Sequence, residues 1–191
     1  MVAADGMEKR SLKTRRLVLA PLRASYARAL HALIDDWEVV KWLSEVPWPV
    51  TPESVQDFAE RQERAGSGND AFAILLAGAP IGVCSVKHPG TGDPPRKMPR
   101  LAYWIGRPYW RKGFGTEAIG ALTAHAFAAF PDTDVVGAGV FLDNPASRRV
   151  LEKLGFRQTG RKEVLSRSRG GQVPTVDMQL TRGEWMRSAR S

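Results

Sequence analysis

Cysteine and long apolar runs are both scarce in this sequence. Its single cysteine, Cys84, cannot form an internal disulfide. The longest stretch without a charged residue, residues 71–86, is shorter than the roughly 18 apolar residues that cross a bilayer, and a Gly-Ala-Pro turn interrupts it. The N-terminal residues 1–13 lack the apolar segment of a secretory signal. We therefore expect a cytoplasmic protein that has no membrane partner.

Acidic residues are also few, because 20 Asp and Glu stand against 28 Lys and Arg, a formal net charge of +8. Such a chain attracts partners that carry phosphate, and both nucleic acid and phosphorylated cofactors qualify. The sequence has no zinc, helix-turn-helix or aromatic-sheet signature, so nucleic-acid binding is supported by charge alone. The three histidines are not spaced like metal ligands, and we expect no metal.

The length of 191 residues and the hydrophobic content of 43% are those of one globular domain. We expect residues 1–13 to form a flexible N-terminal leader and residues 14–191 to fold as a single domain. Apolar periodicity changes between strand and helix patterns, which predicts a mixed α/β, α+β protein. The predicted strands are residues 16–22, 72–76, 81–86, 101–105 and 135–142, and the predicted helices start at Ser25 (as N-cap), Thr51 (as N-cap), Thr116 and Asn144.

A glycine turn at residues 110–117 lies between a predicted strand and a predicted helix. Gly113 and Gly115 let the backbone approach a ligand closely, and the helix that follows presents unpaired N–H groups and the positive end of its dipole. Arg111 and Lys112 add two charges, which favours a pyrophosphate as the anion. The alternative interpretation is an ordinary glycine turn.

The same glycines also match a dinucleotide-binding pattern, Gly113-x-Gly115-x-x-Ala118, with Asp143 at the end of the following strand. In that fold the glycines follow their strand directly, whereas residues 107–110 intervene in this sequence, and too little chain remains downstream for a doubly wound sheet. The Walker phosphate-binding pattern is absent. We therefore rank a dinucleotide-binding fold well below the other interpretations.

A second segment, residues 143–156, has the signals of a well-capped helix. Asn144 suits the N-cap, Pro145 the first helical position, and Gly155 the left-handed position after the last turn. Capping explains these three residues completely but leaves Ser147 over. A hydroxyl in the first turn of a helix can hydrogen-bond to a ligand at the strand ends.

The order and spacing of these blocks resemble the GCN5-related N-acetyltransferase (GNAT) superfamily, and more closely its ribosomal-protein alanine N-acetyltransferase branch. The resemblance runs from Arg15 to Trp185. It implies a central, mostly antiparallel, twisted sheet of six to seven strands flanked by helices, with two strands splayed around the cofactor. The blocks that carry it are the strand 101–105, Trp110-x-x-Gly113-x-Gly115-Thr-Glu-Ala118, Asn144-x-x-Ser147, and Glu152-Lys-Leu-Gly-Phe156.

The resemblance implies an acyl-CoA-dependent N-acyltransferase that uses acetyl-CoA as co-substrate. A backbone N–H near Ile105 would polarise the thioester carbonyl, Asn144 would contact the cofactor arm, and Ser147 would protonate or hydrogen-bond the departing thiolate. These three are the expected catalytic residues. The expected cofactor-binding residues are Trp104, Ile105, Gly106, Arg111, Lys112, Gly113, Phe114, Gly115, Thr116, Asn144, Ser147 and Phe156.

The implied reaction transfers an acetyl group to a primary amine, on a protein N-terminus or a small molecule, by direct attack in a ternary complex. Members of this branch often carry a glutamate that leads into the strand of Leu101, where this sequence has Arg100. The remaining candidate bases are Glu163 and Asp177, and each is also explained as an ordinary structural or solvated acid. A water chain is the third route for deprotonating the amine.

The acceptor side of this architecture is formed by the first helices and their connection, residues 35–48. This segment concentrates acidic residues beside three tryptophans, a combination that attracts and stacks on a cation. The alternative is a solvated helix end with core tryptophans. The expected substrate-binding residues are Trp37, Trp42, Trp48 and Tyr103.

Two further function classes stay open at this point. Eight basic residues between Arg148 and Arg169 suit the nucleotide phosphates of coenzyme A, but they also suit RNA or the ribosome. A basic RNA- or ribosome-binding protein is therefore one alternative, although we expect nucleic acid only through a ribosomal substrate. A catalytically silent acyl-CoA binder is the other, because of Arg100. The sequence leaves a homodimer open.

Overall fold

The computed structural model describes residues 10–64, 67–92 and 95–188. Most of the expected flexible leader therefore lies outside the described residues. Its end does not fit that expectation, because Leu12 and Lys13 pair with Leu19 and Val18 as a short antiparallel strand.

Within the described residues eight strands form one sheet, one or two more than the six to seven expected. Three of them were not among the predicted strands: a two-residue strand at the end of the expected leader and the two strands of a hairpin over residues 157–181. In spatial order the sheet runs β1-β2-β3-β4-β5-β6-β8-β7. The strands are β1 Leu12–Lys13, β2 Leu17–Pro21, β3 Asn69–Leu76, β4 Ala79–Lys87, β5 Arg100–Ile105, β6 Val135–Phe141, β7 Arg157–Ser166 and β8 Gly171–Thr181.

Neighbouring strands are antiparallel with one exception, the parallel pair β5 and β6. A parallel pair needs a crossover connection, which a long helix between the two strands provides. The helices are α1 Ala27–Ile34, α2 Trp37–Val40, α3 Pro52–Glu63, α4 Phe114–Ala129, α5 Pro145–Lys153 and α6 Arg182–Ser188.

The predicted helix caps are confirmed in two of three cases. Thr51 accepts a hydrogen bond from the Ser54 N–H at 3.2 Å and so caps α3, and Asn144 caps α5. Gly155 adopts a left-handed φ of 90°, as its position after α5 requires. The prediction for Ser25 is wrong, because the chain makes a 3-10 turn at Ala24–Tyr26 before α1 begins, and Ser25 lies inside that turn.

Two hydrophobic cores cover the two faces of the sheet. The α4 face carries the larger core, in which α4 and α5 pack on inward residues from β2 to β6 and from β8. The α1 face carries the smaller core, in which α1, α2 and α3 pack on residues of β3, β4 and β5. This arrangement places the end of β5 between helices on both sides, which is where the candidate site lies.

Candidate functional site

Strands β5 and β6 separate soon after they pair. They are in register only at Arg100 with Gly137 and Leu101 with Ala138, so the remainder of β5 faces an opening. The Gly106 N–H donates to the Ile81 carbonyl of β4 at 2.9 Å. Because N–H groups alternate in direction along a strand, the Ile105 N–H points away from β4 and into this opening.

The Ile105 carbonyl points to the same side as the Ile105 N–H, where it accepts a hydrogen bond. Trp110 Nε1 donates to it at 2.6 Å, which fixes the end of β5 against the turn that follows. Gly106 packs closely on α1, where a Cβ would lie 2.9 Å from Leu33 Cδ2. The backbone around Ile105 is therefore anchored on both sides while its N–H faces the opening.

The glycine turn enters α4 through two left-handed residues. Arg111 has φ of 60°, and Gly113, the N-cap of α4, has φ of 80°. Like those of any helix, its first N–H groups lack intrahelical partners and present the positive end of the helix dipole, and no side chain of the described residues caps them. Arg111 and Lys112 are exposed beside it. This combination is suited to binding an anion such as a pyrophosphate.

The start of α4 is braced by the segment before β2. Glu117 Oε1 accepts from the Thr14 hydroxyl at 2.6 Å and from the Arg16 N–H at 2.7 Å, and its Oε2 accepts from Arg16 Nε at 2.7 Å. Arg16 also donates to the Lys112 carbonyl at 3.0 Å, and its guanidinium lies 4.5 Å from the centre of the Phe114 ring.

The pKa of Glu117 reflects this bracing. Burial alone would raise it, but the hydrogen bonds from Thr14 and Arg16 and the charge of Arg16 hold the pKa of Glu117 below its ordinary value. The carboxylate is therefore ionised at neutral pH. It ties Thr14 and Arg16 to the first turn of α4.

Helix α5 brings Asn144 and Ser147 to the same edge of the sheet. Asn144 Oδ1 accepts from the Ser147 N–H at 3.1 Å. Tyr103, in the middle of β5, donates its hydroxyl hydrogen to Ser147 Oγ at 3.1 Å. This hydrogen bond spans from one splayed strand to the helix that follows the other. Burial raises the pKa of Tyr103 to about 12, despite the opposing effect of Ser147, so the phenol is neutral at physiological pH.

Three residues are placed differently from our expectation. Tyr103, expected on the substrate side, points to the α4 face with the residues expected to bind the cofactor. Phe156 is 2% exposed in the core, so its side chain packs rather than lining a binding site. The Trp104 side chain packs on the α1-face core, away from the residues of the α4 face. The period of a strand places Tyr103 and Trp104 on opposite faces, but it does not say which face binds the cofactor.

Two groups of polar contacts border the α1 face of the opening. At the end of β5, Arg107 Nε lies 2.8 Å from Asp36 Oδ2, so the strand is tied to the N-cap of α2. At the end of β6, Asp143 Oδ2 accepts from Arg169 Nη1 at 2.8 Å, and Arg169 Nε donates to the Lys41 carbonyl at 2.8 Å. We call these five residues, which helix α2 joins into one group, the α1-side ring: Arg107, Asp36, Lys41, Arg169 and Asp143.

The tip of the β7–β8 hairpin also contacts α2 and the segment that follows it. The Arg167 N–H donates to the Ser44 carbonyl at 2.9 Å, and the Ser168 hydroxyl donates to the Val40 carbonyl at 3.2 Å. The segment after α2 is therefore held by the hairpin tip as well as by Arg169. The opening has one wall from the N-terminal part of the chain and one from its C-terminal part.

The three tryptophans of residues 35–48 have different roles. Trp37 and Trp48 are 39% and 42% exposed and meet edge to face with ring centres 5.7 Å apart. Trp42 is half-buried, with Lys41 Nζ and the Arg169 guanidinium at 4.9 and 5.0 Å from its ring centre. Trp42 already has cations on its ring, so only Trp37 and Trp48 offer open aromatic surface.

The acidity of this segment is largely neutralised within the fold. Asp36 pairs with Arg107, Glu38 Oε2 lies 2.7 Å from Lys41 Nζ, and Glu45 pairs with Lys87. Such pairs remove most of the field that the sequence suggested for attracting a cation. The exposed aromatic pair, rather than the acids, is the distinctive feature of this wall.

Arg100 occupies the position at which the branch that the sequence resembles often carries a glutamate. Its Nη2 donates to Asp177 Oδ1 at 2.6 Å, and Lys162 Nζ lies 3.2 Å from the same oxygen. Partial burial would raise the pKa of Asp177, but Arg100 and Lys162 outweigh it and hold that pKa below its ordinary value. A carboxylate of lowered pKa is a poor base for an ammonium group. Glu163 is exposed on the edge strand β7.

Several of these residues escaped the sequence interpretation. The brace of Thr14 and Arg16 on Glu117 joins positions about a hundred residues apart and leaves no local pattern. Arg169 looked like one of many basic residues. The spacing of Tyr103 and Ile105 on one strand was visible, and it could have placed Tyr103 on the same face as its neighbours in the core.

An antiparallel sheet that opens between two parallel strands, with a glycine turn at the start of the crossover helix, is the architecture of the acyl-CoA N-acyltransferases. The acetyltransferase (GNAT) domain family matches residues 16–157. This chain belongs to that family, and it is an acyl-CoA-dependent acetyltransferase whose co-substrate is acetyl-CoA.

Individual relatives agree with this assignment. The chain is 27% identical over 159 residues to "Uncharacterized N-acetyltransferase YoaA" of Bacillus subtilis (strain 168), a match that covers 78% of this chain and 84% of that protein. It shares its fold with Mycobacterium smegmatis RimJ in complex with CoA-disulfide, with a TM-score of 0.75 at 21% identity over 92% of this chain and 87% of that one.

A second solved structure has the same fold. It is RimL, a ribosomal alpha-N-protein acetyltransferase in complex with coenzyme A, with a TM-score of 0.72 at 18% identity. The match covers 92% of this chain and 99% of that one.

Within the part of the chain that the structure describes, no helix combines the length and the apolar character needed to span a bilayer.

Proposed function

We propose that this enzyme transfers the acetyl group of acetyl-CoA to a primary amine, of a protein N-terminus or a small molecule, by direct attack in a ternary complex. The observation that carries the proposal is the opening between β5 and β6, which has two different sides. On the α4 face it meets the starts of α4 and α5. On the α1 face it is bordered by the α1-side ring and by Trp37 and Trp48.

The residues of the α4 face suit coenzyme A. The uncapped start of α4 offers N–H groups to a pyrophosphate, and Gly113 allows the left-handed φ with which this turn enters the helix. Arg111 and Lys112 add positive charge. Bound acetyl-CoA supplies a thioester whose carbonyl carbon accepts the amine. Asn144, which caps α5, would also contact the pantetheine arm.

The chain's own groups then act on the two ends of the reacting bond. The Ile105 N–H, which points into the opening, donates to the carbonyl oxygen as negative charge develops there. Ser147 donates a hydrogen bond to the sulfur as it departs with the electron pair of the broken C–S bond. Both interactions are stronger in the transition state than in the ground state, which is the requirement for catalysis.

We assign no side chain as the base that deprotonates the amine. Asp177 is held by Arg100 and Lys162, and Glu163 lies on the exposed edge strand. The proposal is that the acceptor is bound as the neutral amine and that its proton passes to water after attack. The rate should then rise with pH up to the pKa of the acceptor's ammonium group.

Isothermal titration with acetyl-CoA and succinyl-CoA tests the cofactor site. We expect micromolar affinity for acetyl-CoA in the wild type and its loss in Gly113→Trp. Gly78→Trp is the matched control, because Gly78 has a similar φ of 84° in the β3–β4 turn and open space around it. It carries the same backbone strain away from the site and should keep the affinity.

Turnover is tested by release of the coenzyme A thiol with spermidine, kanamycin and peptides that begin with serine or alanine. Transfer to at least one of these amines supports the proposal. Acetyl-CoA binding without transfer to any of them would instead favour a silent acyl-CoA binder. No binding of either thioester, together with salt-dependent RNA binding, would favour the basic RNA-binding alternative.

A further inference from the structure

We propose that Tyr103 is a positioning residue that orients the Ser147 hydroxyl toward the sulfur of coenzyme A. This inference rests on the proposed function, because it assigns a role to a side chain beside the same reacting bond. Neither the sequence patterns nor the fold comparisons give Tyr103 a role on this side of the opening.

The position of Tyr103 follows from the alternation of β5. Tyr103 lies two residues before Ile105, so both side chains point to the α4 face, where each packs against the larger core. The ring of Tyr103 extends toward the starts of α4 and α5, and its Cε2 lies 3.6 Å from where a Cβ of Gly115 would be. The first turn of α4 therefore packs directly beside the tyrosine ring at Gly115.

The hydrogen bond limits the directions in which the serine hydroxyl can donate its proton. Tyr103 donates to Ser147 Oγ at 3.1 Å, so the serine oxygen has a donor on one side. The Ser147 N–H is meanwhile occupied by Asn144 Oδ1. In residues 10–64, 67–92 and 95–188 the Ser147 hydroxyl donates no hydrogen bond of its own. Its proton is thus available for a ligand in the opening.

The phenol is suited to a permanent donor. Because burial raises the pKa of Tyr103 to about 12, it keeps its proton across the physiological range. It need not ionise in the reaction. The amine nitrogen forms the C–N bond, the C–S bond breaks with its electron pair on sulfur, and the amine's proton passes to water. The thiolate, stabilised by Ser147, then takes a proton from water.

The effect of Tyr103 should appear in the chemical step. A hydrogen bond to sulfur strengthens as charge develops there, so a misdirected Ser147 lowers kcat rather than weakening acetyl-CoA binding. Removing the hydroxyl in Tyr103→Phe keeps the packed ring. We expect kcat to fall about tenfold with the KM for acetyl-CoA unchanged.

A double-mutant cycle separates positioning from an independent role. Tyr103→Phe, Ser147→Ala and the double variant are compared, using whichever amine of the panel the wild type acetylates. If Tyr103 acts through Ser147, its substitution has no further effect on kcat in the Ser147→Ala background. An equal fold-change in both backgrounds, or an unchanged kcat in Tyr103→Phe, overturns the proposal. Tyr26→Phe, which removes the hydroxyl of a partly buried tyrosine packed against the smaller core, is the matched control for stability and should leave kcat unchanged.

A second readout does not depend on turnover. The ultraviolet absorbance of the thiolate gives the thiol pKa of bound coenzyme A, and a correctly directed Ser147 should lower it. We expect this thiol pKa to be higher in Tyr103→Phe than in the wild type, and equal values overturn the proposal. If the wild type binds coenzyme A but acetylates no amine, the proposed function fails while this measurement still decides the role of Tyr103.

Discussion

At the residue scale, Asp70 is the charged side chain most strongly influenced by its neighbours. Its Oδ2 lies 2.9 Å from His125 Nε2 on α4, and its Oδ1 lies 3.1 Å from His88 Nε2 just after β4. Burial would raise the pKa of Asp70, but the two histidines more than offset it, and the net pKa lies below its ordinary value. The carboxylate thus joins β3, α4 and the end of β4.

The sign of the pH dependence follows from that lowered pKa. A depressed carboxyl pKa stabilises the fold fully at pH values above the unfolded-state pKa of about 4; the contribution declines below that pH and is lost as pH falls through the lower folded-state pKa. We expect Asp70→Asn to lower the free energy of unfolding by about 2 kcal/mol at pH 7. Urea denaturation should show the difference from wild type shrinking between pH 4 and pH 3. Asp57→Asn, on the exposed side of α3, is the control, and an undiminished difference at pH 3 would contradict the explanation.

Local residue signals were the most predictable part of this molecule. The caps at Thr51 and Asn144 and the left-handed Gly155 each depend on a few neighbouring residues, and all three were predicted. The partners of Asp70 were not, since they come from other elements. The same holds for the hydrogen bond of Tyr103, which joins positions on β5 and α5.

At the element scale, α4 depends on its brace. The Glu117 carboxylate accepts hydrogen bonds from the Thr14 hydroxyl, the Arg16 N–H and Arg16 Nε. Removing this carboxylate should therefore loosen the turn that precedes the helix. We expect Glu117→Gln to weaken acetyl-CoA binding several-fold, measured by isothermal titration, without abolishing the fold.

Helix α6 offers a matched control for this brace. Glu184 likewise accepts from a threonine hydroxyl and a backbone N–H, both of Thr181, and lies 3.3 Å from Arg157 Nε. It lies in the last helix and not at the glycine turn. Glu184→Gln should therefore leave the acetyl-CoA affinity unchanged, and an equal loss in both variants would show that the effect is one of general stability.

Elements in the first three quarters of the chain with apolar periodicity were predicted, whereas the two strands of the β7–β8 hairpin were not. Strand β7 lies at the sheet edge, and most of its side chains are exposed and polar, so it has no apolar alternation to detect. Strand β8 does alternate, with Val176, Met178 and Leu180 in the core, and this signal could have been found. Together they form the hairpin whose tip borders the site.

At the scale of the whole molecule, the α1-side ring joins distant parts of the chain. Arg169 contributes to it through the Lys41 carbonyl, the Asp143 carboxylate and the rings of Trp42 and Phe141, each ring centre 5.0 Å away. No single element could form this side of the opening. Its geometry depends on both halves of the sheet.

Substituting Arg169 tests whether the ring shapes the acceptor side. We expect Arg169→Gln to raise the KM for the acceptor amine several-fold and to leave the acetyl-CoA affinity unchanged, because the α4 face is not altered. Steady-state kinetics and titration measure the two quantities. Arg167→Gln is the control, since that exposed side chain is adjacent but only its backbone joins the ring. A matching change in acetyl-CoA affinity would contradict the separation of the two sides.

The sheet also divides at one place. The antiparallel group β1 to β5 and the antiparallel group β6 to β8 are each continuous in sequence, and among the described residues only two residue pairs join them. The backbone hydrogen bonding of the sheet is therefore weakest along the line that the proposed ligand occupies. A pantetheine arm bound there would contact both groups of strands. It would therefore connect two parts of the sheet that share few backbone hydrogen bonds of their own.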